Sequence, residues 1–172
     1  INARNLMGEE AVASADMDIL SLPQVSACTG TRERAIKSAV KNVYVMLKGG
    51  CIASDGTLDA TVDVFSRGLI SRGQLWGYLL RELMNINVDT FVCQDVEDEE
   101  WGGGHWTEYA NNISLDWSPS WSPYLEYVIL HELIHKCGLN NSLREHYLEL
   151  SDSEFMRTIE EQAHTISGSC FD

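Results

Sequence analysis

The stretch HELIHKCGLNN, His131 to Asn141, decides how the rest of this chain is read. Its first five residues set two histidines four apart, with a glutamate directly after the first. On a helix, positions i and i+4 share a face, so His131 and His135 can reach one ion together. Zinc takes neutral imidazoles at about 2 Å on converging vectors. Glu132 is angled past the ion toward a water on it, whose proton it can take and pass to a leaving amine. The expectation is one Zn2+ with His131 and His135 as ligands and Glu132 as the general base. The bland alternative is an amphipathic helix with two ordinary histidines. The apolar run Tyr127-Val128-Ile129-Leu130, continued by Leu133 and Ile134, argues against it. A helix this apolar is mostly buried, and two histidines and a glutamate buried with it need partners.

A third ligand must come from elsewhere. The longer pattern HExxHxxGxxH would place it at position 141, but Asn141 stands there. Its amide oxygen is a poor zinc ligand, and just past the helix-ending Gly138 it reads as a turn former. His146 lies in the polar segment SLREHYLEL and reaches the site only if that loop folds back. Glu154 follows His135 by nineteen residues, a spacing some aminopeptidases use. It is also the N3 residue of a capping box, Ser151-x-x-Glu154, and at about 100° per residue shares the polar side with Arg157, Thr158 and Glu161. Glu160 falls instead with Met156, Ala163, His164 and Ser167, the small or apolar side expected to face the core, where a carboxylate needs a partner. Glu160 is therefore the preferred ligand, with Glu154, His146 and Asn141 kept as alternatives. His164, one turn further on, is a candidate to support Glu160 or a ligating imidazole.

Working outward, the spacing predicts a helix over Thr31–Lys48, stopped by Gly49-Gly50, and weaker helices over Glu9–Leu20, Asp59–Leu69 and Gln74–Asn85. Val88–Gln94 reads as a strand, and so does HWTEYANNISLDW, residues 105–117. The acidic run Asp95–Glu100 between them is a solvated loop, since it lacks the acidic spacing of a calcium-binding loop. Ser122 and Pro123 suit the N-cap and first position of the HELIH helix, and Gly138 its end. A last helix starts at Ser151. The expected fold is α+β, mostly helical, in a single domain over 1–172, with a helical N-terminal part (1–87) and a catalytic core (88–168).

With 172 residues and 44% hydrophobic composition, the chain can bury one real core. Twelve basic against 26 acidic residues give a net charge of −14, which argues against nucleic acid and anionic membranes as partners. No apolar run approaches the ~20 residues of a membrane span. The five cysteines, Cys28, Cys51, Cys93, Cys137 and Cys170, are scattered. They suit up to two disulfides with one thiol left over, and hence a secreted or otherwise extracytoplasmic home, rather than a thiolate metal site. The chain begins at Ile1 rather than Met, for which a removed signal or pro-segment and a trimmed chain are the competing explanations.

These motifs resemble a zincin metallopeptidase, and within that group a compact gluzincin. His131-Glu132-Leu133-Ile134-His135 carries the likeness together with Glu160-Glu161-Gln162-Ala163-His164. The second segment is similar to an E-x-x-A/S-N/D element in which the glutamate binds zinc and the residue four later supports a histidine ligand; His164 departs from the usual Asn or Asp there. YANNISLD, Tyr109 to Asp116, resembles the edge strand above a zincin cleft, which pairs with an extended substrate. The resemblance covers about residues 88–168 and implies a zinc-dependent endopeptidase, or a protease-like toxin or effector, acting on peptide or protein. It also implies a further transition-state stabiliser, for which Tyr109, His105, Tyr124 and Tyr147 are candidates. Two rival readings are a non-catalytic zinc-binding protein acting through partners and a purely structural domain.

Overall fold

Apolar side chains at Ile36, Ala39, Val40, Val43 and Leu47 recur at helical spacing, and all five are buried on one face of helix α1, Gly30–Lys48. The helix stops as expected: Gly50, at φ 87°, takes a left-handed backbone, and its N–H bonds Leu47 O at 3.0 Å. The computed structural model describes residues 25–26, 30–53, 65–84, 91–94, 104–107, 112–116 and 124–171. The helix read over Glu9–Leu20, the acidic run Asp95–Glu100, Ser122, Pro123 and Tyr109 lie outside them.

Helix α2 spans Arg72–Met84, beginning two residues before the expected start at Gln74. The reason is a reciprocal cap: Gln74 N–H donates to Ser71 Oγ at 3.1 Å while Ser71 N–H donates to Gln74 Oε1 at 3.0 Å. Trp76 ties α2 to α1 by donating its indole N–H to Leu47 O at 2.7 Å. Of the helix expected over Asp59–Leu69, the described part is a single 3-10 turn, Phe65–Gly68. Arg67 and Gly68 both take left-handed backbone there, at φ 56° and 76°, which no helix continues through.

Four strands form one sheet: β1 (Val25–Ser26), β2 (Phe91–Gln94), β3 (Gly104–Thr107) and β4 (Asn112–Asp116), in the order β1-β2-β4-β3. The first three in that order run parallel and β3 is antiparallel. Two expectations are corrected. Residues 105–117 are not one strand, because the register Gly104↔Leu115 to Thr107↔Asn112 folds the segment back on itself. The edge strand is β3, not the YANNISLD segment. β4 is interior, bonded on both sides, and its Ile113 and Leu115 are fully buried. The N-terminal part, read as helical, also supplies β1.

Helix α3, Leu125–Cys137, carries the HELIH motif and touches α1, α2, β3, β4 and helix α4, Asp152–Gly168. Val128, Ile129, Leu130, Leu133 and Ile134 are at most 3% exposed, each contributing about 1.5–3 kcal/mol by burial. The helix begins at Leu125, after Tyr124, whose side chain makes no cap. Gly138 ends it, as expected. Lys136, its side chain 8% exposed, pairs with Glu82 on α2. A 3-10 turn, Asn141–His146, leads to α4, whose Ser151–Glu154 capping box is formed in both directions. Cys51 and Cys170 form a disulfide and Cys93 is also disulfide-bonded, while burial pushes the free Cys137 thiol up to about 12. The described elements are α+β and mostly helical, and no described helix is long and apolar enough to cross a membrane.

Candidate metal centre

One turn of α3 sets His131 and His135 on the same face, with ring centres 4.7 Å apart and their Nε2 atoms 3.1 Å apart. Helix α4 brings Glu160 across: Oε2 lies 3.1 Å from His131 Nε2, and Oε1 lies 3.2 Å from His135 Nε2. These three are the group among the described residues whose donor atoms can hold a metal ion. Tetrahedral coordination at ~2.0–2.1 Å sets neighbouring donors ~3.3 Å apart, close to the observed spacing.

Proton positions sharpen this. His135 Nδ1 lies 2.6 Å from Leu139 O, which can only accept, so Nδ1 carries the hydrogen. His131 Nδ1 lies 3.4 Å from Ser167 Oγ. The Ser167 hydroxyl donates to Ala163 O at 2.7 Å, leaving its oxygen to accept from His131 Nδ1–H. Neutral imidazoles with the hydrogen on Nδ1 present bare Nε2 atoms to two carboxylate oxygens, whereas protonated imidazoles pair with them through Nε2–H. Four lone-pair bearers at this distance repel unless a cation lies among them.

The surrounding charges fit. His131, then His135, holds the Glu160 carboxyl well below its usual range. At His135 burial works to lower the pKa, but the Glu160 carboxylate outweighs it and the net shift is upward. Glu160 pairing therefore stabilises the metal-free protein above the ordinary carboxyl value of 4.5 and is lost as pH falls through the lowered pKa. The His135 contribution is full below the ordinary 6.5 and is lost as pH rises through the raised pKa. A metal needs the imidazoles neutral, so its stabilisation grows with pH over that range. Thermal unfolding with and without Zn2+ checks this: the gain in Tm on adding zinc is larger at about pH 7.5 than at about pH 5.5.

Glu132 sits beside the ligands, 7% exposed, and burial raises its pKa against the opposing pull of His135, His131 and a backbone donor. That donor is Trp106 N–H on β3, 2.7 Å from Oε2. The Trp106 N–H is turned to Glu132, so the free side of the edge strand meets the carboxylate. Gly104 makes the approach possible: a Cβ there would lie 2.5 Å from Val128 Cγ1 and 3.2 Å from Glu132 Cγ. Val128 is β-branched and 3% exposed, with little room to yield. Gly104→Ala is expected to destabilise the protein by about 1–3 kcal/mol and to speed amide exchange at Trp106. Gly77→Ala, on a helix with open space around the new methyl, is the control and raises stability by about 0.5–1 kcal/mol. Denaturant titration and amide exchange measure both.

The other candidates lie elsewhere. Glu154 is exposed, its Oε2 bonded to Ser151 N–H at 2.9 Å and Ser151 Oγ at 2.6 Å, so the capping box accounts for it. His146 is 3.4 Å from Glu145. Asn141 opens the 3-10 turn, while its neighbour Asn140 caps that turn and donates to His135 O at 2.8 Å. Tyr147 is core: it packs on Phe155 and lies under the Arg67 guanidinium, which donates to His146 O at 2.8 Å and bonds Glu149. Tyr124 is 59% exposed at the start of α3. His105 is exposed on β3; side chains alternate along a strand, so it points away from the α3 side that Gly104 and Trp106 face. His164 is exposed and bonds Tyr127, which stacks on His131, so its link to the ligands is indirect. Ser167 stands directly behind His131 instead, because seven residues nearly complete two helical turns from Glu160. Glu160 itself lies at the margin of the buried face, its side chain 55% exposed; Met156 and His164 are exposed too, while Ala163 and Ser167 are buried, so only part of that stripe faces the core as expected. The signals for Ser167 and Gly104 were present: the first in helical phase, the second in the glycine run before β3.

A scan against protein-family models finds no match to this chain, and comparisons with curated proteins and with solved structures also find none.

Proposed function

We propose that this chain is a zinc-dependent metallopeptidase with a zincin-like fold, cleaving peptide bonds within extended segments of protein substrates. The observation that carries the reading is the convergence of two imidazole Nε2 atoms and the Glu160 carboxylate within hydrogen-bonding distance of one another. His131, His135 and Glu160 would hold the ion, leaving a position open to substrate, as three-ligand zinc sites do. When bound, Zn2+ supplies Lewis-acid polarisation of a carbonyl and lowers the pKa of water.

Glu132 then acts as the general base and acid. Its Oε2 is anchored by Trp106 N–H, which fixes the carboxylate orientation and leaves Oε1 to take a proton from the attacking water. The pKa raised by burial keeps that proton available for the leaving amine. The free side of β3 runs past this carboxylate, and an extended peptide can add to it as a further strand. Main-chain pairing of that kind holds residues on both sides of a bond, which favours an endopeptidase. The disulfides support an extracytoplasmic setting.

The test is to incubate the zinc-loaded protein with an unfolded protein substrate and a peptide library. Cleavage that a chelator stops and stoichiometric Zn2+ restores supports the reading. A protein that binds zinc and cleaves nothing points to the partner-binding alternative.

A further inference from the structure

Helix α4 carries Glu160 and Ser167 to the metal centre, and its last turn is where a covalent link holds it. Cys170 follows that turn, and its disulfide to Cys51, just past the end of α1, spans 119 residues of chain. Two lines of contact run from the bonded cysteine to His131. Three residues back is fully buried Ser167, with Oγ 3.4 Å from His131 Nδ1. One residue on, Phe171 packs edge-on against Tyr127 at 5.7 Å, and Tyr127 stacks on His131 at 6.0 Å. Between them, Ser169 Oγ lies 3.3 Å from Cys51 O. The buried apolar anchors of α4, Phe155, Ile159, Ala163 and Ile166, all precede Ser167. Terminal helical turns fray first, because their last carbonyls lack partners within the helix. The disulfide thus adds a covalent restraint, beyond the buried Ile166, at the end of the turn that faces His131.

We propose that the Cys51–Cys170 disulfide is a metal-retention clamp. By pinning the last turn of α4 it keeps Ser167 and Phe171 in place behind His131, and so ties the metal affinity of the centre to the oxidised state of this cysteine pair. The proposal rests on the reading of His131, His135 and Glu160 as a metal site. A dithiol reductant opens the clamp by balanced exchange: the Sγ–Sγ bond breaks, Cys51 and Cys170 each gain a hydrogen, and the two sulfurs of the reductant join as a disulfide. Without Ser167 accepting from Nδ1–H, the His131 proton is free to move to Nε2, and that tautomer cannot ligate through Nε2 until the proton moves back.

The experiment compares the whole chain with the Cys51→Ser/Cys170→Ser double variant, with Ser167→Ala and with all three changes together. Zn2+ alone is titrated against a chromophoric competitor, and the His131 tautomer is read in each metal-free protein by long-range 1H–15N correlation. The double variant and Ser167→Ala are each expected to bind Zn2+ about 10- to 100-fold more weakly. The combined variant is expected to be no weaker than the worse of the two, because both act through one contact. The His131 tautomer shifts in every variant while His135, held by Leu139 O, does not. An unchanged Kd in the double variant overturns the clamp, and so does a combined loss equal to the product of the separate ones. Global unfolding of the double variant by circular dichroism also overturns it, since the proposal requires only a local release. A parent chain that binds no Zn2+ sinks the metal-site reading instead. The His131 tautomer, read without metal, tells that failure from failure of the clamp.

Discussion

On the proposed reading, Glu132→Gln is expected to lower kcat by roughly 10²–10⁴-fold while the protein keeps its zinc and its fold. The substitution removes the basic oxygen and little else. Glutamine keeps the volume of the side chain, and its amide oxygen can still accept the Trp106 N–H that now meets Oε2 at 2.7 Å. Stability is not expected to fall much, because the native carboxylate is buried and its charged form is already penalised. The discriminating result is the split between readouts: zinc content and Tm stay, and turnover goes. If turnover survives in a zinc-loaded Glu132→Gln protein, Glu132 is not the base.

Glu160→Ala is expected to strip the proposed centre of its metal. The expected loss of Zn2+ affinity exceeds the roughly 100-fold that removal of an outer supporting group produces, because a donor atom itself is gone. It also leaves two imidazoles whose bare Nε2 atoms stand 3.1 Å apart with no carboxylate to attract a cation between them. The variant should still fold, because the Glu160 side chain is 55% exposed and α4 is seated by Phe155, Ile159, Ala163 and Ile166. Glu154→Ala, by contrast, removes a helix cap and leaves zinc binding unchanged. Titration of Zn2+ against a competitor on the two variants separates these outcomes.

Much of this centre is legible before any coordinates. The i, i+4 histidines, the buried helix around them, Gly138 as its end and the Ser151–Glu154 box follow from spacing and capping chemistry, which act within one or two turns. Glu160 was reached by helical phase, although the face it occupies is the margin of the core and not its middle. What stayed hidden depends on contacts between distant segments. Nothing local distinguishes one thirteen-residue β-rich run from the pair β3 and β4, because strand breaks are set by the partner and its register. The glycine run that includes Gly104 is visible in the sequence, but the reason for it, Val128, is twenty-four positions away. Tyr147 is a candidate by residue type, and His164 by its place one turn after Glu160. Their actual neighbours, Phe155 with Arg67 for the first and Tyr127 for the second, are fixed only by how α4 and the 3-10 turns pack.

The proposed function depends on one zinc ion held among His131, His135 and Glu160. Anomalous diffraction at the zinc absorption edge, from crystals of the zinc-loaded protein, locates that ion. One strong peak is expected between the three side chains, about 2 Å from each imidazole Nε2 and from a Glu160 carboxylate oxygen. A peak that instead involves Glu154, His146 or Asn141, or no peak at this site in protein with zinc bound, would contradict it.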